Sequence, residues 1–340
     1  MAAEQRDLPS RAAPDTAELD ASVVIPTHRR DDLLERCLRA VLTQRYRRDH
    51  FEVVVVDDAQ SATVPPLVAR VAAEHPGVAV RSLPGPGRGP AAARNVGWRA
   101  AAGRIIAFID DDAYPEDDRW LYEGVQPFDD PNVVAVSGRV TVPTDDPPTD
   151  FQRNVKGLES GEFLTCNVFY RRDVLERVGG FDERFTAPFR EDSDLQYRVA
   201  ATGGRMLRTD RARVAHPAPP GRFGVALRLQ RYSMFNALIY KKHPHLYRRR
   251  LQPNPPAHYY AIVATALLAI GAFLAGRRRF AVLAALRWLF LTTMFFVQRA
   301  RGVSHAPLHL VDLALTSALI PPLSVYWRLR GALRYRVWFA

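Results

Sequence analysis

Lysine is nearly absent. Lys156, Lys241 and Lys242 are the only lysines among 47 Lys+Arg, so arginine carries the basic character. Cysteine is scarcer still, and Cys37 and Cys166 alone build neither a disulfide scaffold nor a Cys-based zinc ribbon. Residues 1–20 hold no apolar run, so no secretory signal is expected, and the block from residue 21 is expected on the cytosolic side. With Pro9, Pro14 and scattered charges, residues 1–20 read as a flexible tail. Acid is what the chain's end lacks. Residues 221–340 carry eighteen Lys/Arg against the single acid Asp312, a charge of +17. Residues 1–220 carry the other 29 basic residues against 35 acids, a charge of −6. The overall +11 is therefore a difference between two unlike parts, and only the second is suited to an anionic surface.

What is present is the composition of a folded chain, 340 residues at 47% hydrophobic and 24% charged, which excludes a disordered tail or a fibre. From Ser22 the pattern alternates between strand and helix. Ser22–Ile25, Phe51–Val56, a stretch near 78–82 and Arg104–Ile109 read as strands. Amphipathic stretches at Asp31–Thr43, 62–74 and 90–102 read as the helices between them. Such alternation predicts an α/β fold: a mostly parallel sheet with helices on both faces and ligands beyond the carboxyl ends of its strands. Two of those ends are acidic, Asp57-Asp58 and Asp110-Asp111-Asp112.

Three adjacent carboxylates repel one another unless a cation or hydrogen bonds hold them. In an extended segment Asp110 and Asp112 face one side and Asp111 the other, and oxygen ligands of this kind suit Mg²⁺ or Mn²⁺ shared with a diphosphate. Asp57, Asp58 and Thr27 form a polar rim that either reads a base or ribose, or caps the next helix. The loop Gly85–Pro90 feeds a helix carrying Arg94 and Asn95, which is either a phosphate site or a plain turn. Neither a GxGxxG nor a P-loop lysine accompanies it. Glu191-Asp192-Ser193-Asp194 opens a helix, where acids either complement the dipole or accept a proton from an attacking hydroxyl. His216, after a short strand, is either a late metal or phosphate ligand or a surface histidine.

The strings VVIPTHRR (23–30), VVVVDDAQ (53–60), GPAAARNVGWRAAAG (89–103), FIDDDAYPEDDRWL (108–121), RRDVLERVGGFDERF (171–185) and EDSDLQYR (191–198) occur in one order and spacing. Together they resemble the family 2 glycosyltransferases over roughly residues 21–220. The resemblance implies a glycosyltransferase-A fold and inversion at the anomeric carbon. It implies a DxD pair, Asp110 and Asp112, holding Mn²⁺ or Mg²⁺ on the donor diphosphate. Asp112 is the more direct ligand, and Asp111 is counted with the donor-binding residues. Asp58, with Asp57 beside it, would recognise the nucleobase, Thr27 would lie by the nucleoside and Arg94 near the diphosphate. Asp192 would be the catalytic base with Glu191 supporting it, and Asn167 would lie on a loop against the donor sugar. The QxxRW box of processive synthases is missing, and Gln230-Arg231-Tyr232 only echoes it, so single-sugar transfer is expected.

After this domain, residues 221–256 read as a basic amphipathic helix and linker, 257–327 as hydrophobic membrane-associated helices and 328–340 as a basic tail. Ala257–Gly276 has no formal charge and is long enough to span hydrocarbon. A crossing there leaves Arg277-Arg278-Arg279 outside, against the positive-inside tendency, and Arg287 in the next stretch is expected to snorkel or to pair with Asp312. One or more of the stretches can instead lie in the interface or form a re-entrant hairpin, and the number of crossings stays open. The expected partners are a nucleotide-diphosphate sugar, a glycan or lipid-linked acceptor and an anionic membrane surface, and nucleic acid is not among them. The leading expectation is a metal-dependent inverting transferase at the cell membrane with a cytoplasmic catalytic domain. The alternatives are a polyprenyl-phosphate glycosyl synthase and an inactive membrane-anchored binding module.

Overall fold

In the computed structural model, which describes residues 19–252 and 254–339, the strand signals all join one sheet. Its strands are β1 (Ala21–Thr27), β2 (Phe51–Asp57), β3 (Ala79–Pro84), β4 (Ile105–Phe108), β5 (Tyr114–Pro115), β6 (Val133–Thr141), β7 (Val168–Arg171) and β8 (Arg205–Ala215). The spatial order is β3-β2-β1-β4-β7-β6-β8-β5. The first four are mutually parallel, while β7 runs antiparallel to both neighbours, β4 and β6. The chain leaves β1 toward β2 on one side, and β4 lies on the other. The carboxyl ends of β1 and β4 thus flank a switch point, where ligands bind in open sheets of this kind.

Helices cover both faces: α1 (Asp31–Leu42), α2 (Val64–Ala73), α3 (Pro90–Ala100), α4 (Trp120–Val125), α5 (Asp150–Lys156), α6 (Arg172–Val178) and α7 (Glu191–Ala200). Strand alternation assigns the layers. Val23, Ile25, Val53 and Val55 pack with Leu34, Leu38 and Val41 of α1, whereas Val24, Val54, Val56 and Phe108 pack with Ala93 of α3 and Leu195 of α7. Each buried valine or leucine contributes roughly 1.5–3 kcal/mol relative to exposure. Small residues let α3 approach closely; a Cβ on Gly97 would lie 2.3 Å from Val24 Cγ1. That close approach brings Arg94 down to the sheet.

Downstream lie α8 (Val225–Leu229), α9 (Phe235–Lys242), α10 (Pro244–Leu246), α11 (Ala257–Leu274), α12 (Arg278–Ala300) and α13 (Pro307–Tyr335). Four expectations change here. Residues 222–242 do not form one basic helix: Gly224 takes a left-handed φ of +71° and Gln230–Met234 tightens to a 3₁₀ turn, leaving two short helices. Nor are these residues a linker, because Phe235, Leu238 and Tyr247 join Phe185 and Tyr197 of the catalytic domain in a third core. The basic tail does not start at 328, since α13 runs to Tyr335 and Phe339 is buried in that same core. Arg287 lies over the Phe290 ring and does not pair with Asp312, whose Oδ1 accepts from the Gly224 amide at 2.8 Å. The N-terminal tail, as far as residue 18, lies outside the described residues. Its last two residues are docked, with Leu19 and Asp20 carbonyls accepting from the Arg104 and Ile105 amides.

Candidate active site

The site grows from the end of β4, where the chain leaves a fully buried strand with three acids in a row. Each acid finds a different partner. Asp110 accepts from Arg94 Nη2 (2.6 Å), Asp111 from the Thr27 hydroxyl (2.8 Å), and Asp112 lies 3.2 Å from His216 Nε2 through its Oδ1. Arg30 follows the left-handed Arg29 (φ +56°) after β1 and donates to both Asp111 and Asp112. Sequence reasoning missed Arg30, although it sits in the VVIPTHRR string. Asp110, Asp112 and His216 bring one ligand atom each to within 4.8 Å of one another. Asp111 instead faces Thr27; the acids are not extended as expected, because β4 ends at Phe108 and Asp111-Asp112 form a turn closed by the Ala113 amide on the Asp110 carbonyl.

Electrostatics sort the three acids. Burial works against ionising Asp112, but the bond to His216 and the charge of Arg30 outweigh it and hold its carboxyl down at about 2. Burial dominates at Asp111 and pushes it up to about 6, with Thr27 and Arg30 opposing. For His216, burial disfavours the charged ring, yet the bond to Asp112 and the field of Asp112 and Asp110 raise it overall. Its other ring nitrogen, Nδ1, is buried and without a hydrogen-bond partner. Two carboxylates and an imidazole form a donor set that fits Mn²⁺ well and Mg²⁺ acceptably, so these residues suit the divalent cation the sequence implies.

Arg94 links this corner to the second. It is buried, and the same guanidinium that holds Asp110 donates through Nη1 to Glu191 Oε1 (3.1 Å). It therefore does not lie free to bind a diphosphate; it braces two carboxylates, and its own Nε and the Glu191 Oε2 are left without partners. Burial and the neighbouring Asp192 charge raise Glu191 to about 7 against the pull of Arg94. Asp192 is also raised by burial, although Ser193 donates to it from both its amide (2.6 Å) and its hydroxyl (3.3 Å), and Arg190 opposes the rise. A carboxylate with raised proton affinity at a helix start has the properties of a general base.

The other expected residues do structural work. Asp58 accepts from the Gly87 and Gly89 amides, both at 2.8 Å, and so pins the glycine loop. That loop needs glycine: at φ +97° a Cβ on Gly89 would lie 2.4 Å from the Thr186 carbonyl oxygen. Asp57 accepts from the Ala59 and Ser61 amides, capping the turn after β2 rather than α2 itself. Beside this edge an open cleft of about 570 Å³ is lined by Arg29, Arg30, Asp31, Asp32, Ser61 and Thr63. Asn167 is fully buried and fully used: it accepts from Trp120 Nε1 (2.9 Å) and donates to the Arg139 (2.8 Å) and Ala212 (2.9 Å) carbonyls. No polar atom remains there for a sugar, which corrects its expected role. An Asn167→Ala protein should lose about 3 kcal/mol and several degrees of Tm because those buried partners go unpaired, with donor KM unchanged. A thermal melt and a donor titration check both halves.

A clamp that sequence reasoning also missed holds the start of α7 in place. Asp194, close to Asp192 in the first turn of α7, accepts from Lys242 Nζ (2.6 Å), Arg198 Nε (2.9 Å) and His243 Nε2 (2.9 Å). Lys242 also reaches Asp182 at 2.6 Å. Lys242 and His243 lie 48 and 49 positions downstream of Asp194, so no local pattern marks them.

With fold and site in view, the comparisons are specific. The family model for Glycosyl transferase family 2 matches residues 22–197. AglE, a glycosyltransferase of Haloferax volcanii, is 28% identical over 220 residues, 62% of this chain and 70% of its own. The pre-mycofactocin glycosyltransferase of Mycobacterium tuberculosis is 29% identical over 212 residues, 58% of this chain and 42% of its own length. The mannosyltransferase PcManGT of Pyrobaculum calidifontis, solved with GDP-Man and Mn²⁺, superposes with a TM-score of 0.53 at 25% identity. That match covers 91% of this chain and 90% of the other. The sheet is the mixed, mostly parallel sheet of the glycosyltransferase-A fold. The chain belongs to glycosyltransferase family 2 and is a glycosyltransferase.

Proposed function

We propose that this enzyme transfers a single sugar from a nucleotide-diphosphate donor to a lipid-linked or envelope-glycan acceptor, with inversion and with a divalent cation, at the inner face of a membrane. The observation that carries the reading is the convergence of Asp110, Asp112 and His216 at the end of β4, joined through Arg94 to the paired acids Glu191 and Asp192. Asp110, Asp112 and His216 would hold the cation; when bound it supplies charge neutralisation for the leaving diphosphate. Asp192 takes the proton of the acceptor hydroxyl, and Glu191, held by Arg94, supports it. The structural neighbour's GDP-Man and Mn²⁺ support this donor class and make them the first probes.

Sidedness is inferred from arginine and lysine counts near the helix ends. Lys241, Lys242, Arg248, Arg249 and Arg250 precede α11, whereas Arg277 lies in the turn between α11 and α12 and Arg278 and Arg279 open α12. The greater positive charge on the catalytic side favours the cytoplasm for that side. The acceptor reading gains support from the packing: α7 is clamped to α9, and α9 packs on α13, so the base sits close to the apolar end of the molecule.

A thermal-shift panel of GDP-, UDP- and dTDP-sugars on detergent-solubilised protein, with and without Mn²⁺, tests the donor half. One donor class should stabilise the protein by about 2.7 kcal/mol at a hundredfold excess over Kd, and only with metal present. Equal stabilisation without metal, or none from any donor, overturns it.

A further inference from the structure

Helices α11, α12 and α13 are each long and apolar enough to cross a bilayer. Their contacts divide them into two kinds. At its N-terminal end α13 is tied to the catalytic domain: the Ser304 amide donates to the Pro148 carbonyl (2.8 Å), and His309 Nε2 accepts from the Asp150 amide (3.2 Å). Its C-terminal end is tied to the same body: Lys241 Nζ donates to the Tyr335 carbonyl (2.8 Å), Arg328 donates to Gln252 (3.0 Å), and Phe339 stacks on Tyr240 at 5.7 Å. A helix of 29 residues is about 43 Å long, so a spanning α13 would put its ends on opposite sides of a hydrocarbon layer roughly 30 Å thick. Both ends instead touch one water-facing domain.

The side-chain pattern agrees with that placement. Leu308, Val311, Leu315, Leu319, Leu329 and Leu333 are all exposed, between 40% and 80%, although every one is a large apolar residue. At 3.6 residues per turn they fall in one arc of about 80° along the whole helix. Leu313, Ser317, Ile320, Ser324, Arg328 and Gly331 are buried and occupy the opposite face, against the protein. Exposed Arg330 and Arg334 flank the stripe near its C-terminal end, where long basic side chains reach headgroup phosphates.

By contrast, α11 and α12 form a hairpin anchored at its base. Arg299, at the end of α12, is buried against Asp150 (2.8 Å), Thr316 Oγ1 (2.8 Å) and Ser317 Oγ (3.0 Å). Toward the tip, Leu267, Leu268, Phe273, Leu274, Phe280 and Leu283 are exposed. At about 27 and 34 Å, the two arms match the hydrocarbon thickness.

We propose that the enzyme's partner surface is a lipid bilayer engaged in two ways: the α11–α12 hairpin crosses it twice, and α13 lies in its interface plane with the leucine stripe toward the acyl chains. This rests on the membrane part of the proposed function and is independent of sugar transfer. The catalytic domain is then fixed in height and tilt by a helix lying flat under it, not by a single flexible stalk.

Depth-dependent quenching in proteoliposomes tests the geometry. Cys37 and Cys166 are buried, so Leu308→Cys, Leu319→Cys, Leu329→Cys, Leu268→Cys and Gly276→Cys proteins take up a fluorescent maleimide at the new site. The vesicles are phosphatidylethanolamine–phosphatidylglycerol, carrying nitroxides at set acyl depths. The three α13 positions should report one shallow depth, about 5–10 Å below the headgroups, while Leu268→Cys reports the deep hydrocarbon. Gly276→Cys should react with an impermeant maleimide only from the face opposite the catalytic domain. A depth difference approaching the roughly 31 Å rise between positions 308 and 329 would mean that α13 spans, and would overturn the proposal. So would an unquenched α13 beside a quenched hairpin, which would assign the stripe to a second copy or another protein. Absence of quenching at Leu268→Cys as well would overturn the membrane reading itself, whatever the transferase assay reports.

Discussion

An Asp112→Asn protein is expected to lose at least about three orders of magnitude in kcat with saturating donor and Mn²⁺, because several kcal/mol of leaving-group stabilisation go with the cation. The substitution keeps shape and removes charge. Of the three acids at this strand end, Asp112 is the one held down, near 2, by His216 and Arg30, so it is ionised at neutral pH. Asparagine leaves His216 with a weaker acceptor and leaves Arg30 with Asp111 alone. Manganese titration followed by electron paramagnetic resonance separates the cause: the variant should bind Mn²⁺ at least about tenfold more weakly while melting close to the parent. Wild-type turnover with intact folding would remove Asp112 from the metal site. Loss of turnover with unchanged Mn²⁺ affinity would do the same, and would leave Asp112 acting through Arg30.

The same strand end shows what a sequence exposes and what it conceals. That β4 is buried and ends in acids is written in IIAFIDDD, because a run of apolar residues has few options besides the middle of a sheet. The pairing of Asp110 with Asp112 is observed, but not by two-residue alternation: β4 ends at Phe108 and the chain turns at Asp111 and Asp112, and that turn brings Asp110 and Asp112 together with His216 while Asp111 meets Thr27. The placement of the glycine loop over Asp58 was not legible. Asp58 follows a strand end just as Asp110 does, and only the chain's return at Gly87 and Gly89 shows that each of its oxygens accepts a backbone amide. Asn167 misled for the same reason, since local context does not reveal the Trp120 indole or the two carbonyls that saturate it. The C-terminal helices were legible as long and apolar, but how each one sits was not. Hydropathy measures how apolar a segment is, whereas the position of α13 on the protein is set by contacts at Pro148 and Asp150 at one end and Lys241 and Gln252 at the other. Those contacts join residues 76 to 159 positions apart, beyond any window of pattern.

An Asp192→Asn protein should be slower by about 10²- to 10⁴-fold toward a hydroxyl acceptor, with donor binding unchanged. The role of base also fixes the pH dependence. Burial raises the proton affinity of Asp192 above that of an ordinary carboxylate, so the reactive, ionised form is lost at a higher pH than is usual for aspartate. Wild-type kcat/KM should therefore climb as pH rises through that raised value and level off above it, and the Asn variant should lack this limb. Glu191, Arg190 and Arg94 are the charged groups that set the position of the limb. An Arg190→Gln protein should shift it upward, because the positive charge opposing the effect of burial is gone. The acceptor class enters through the same experiment. A lipid phosphate is already ionised and needs no base, so full activity of the Asn variant on a polyprenyl phosphate would identify a phosphate acceptor. A shared loss on hydroxyl and phosphate acceptors, with that acid limb intact, would show that Asp192 serves to position the acceptor and not to accept its proton.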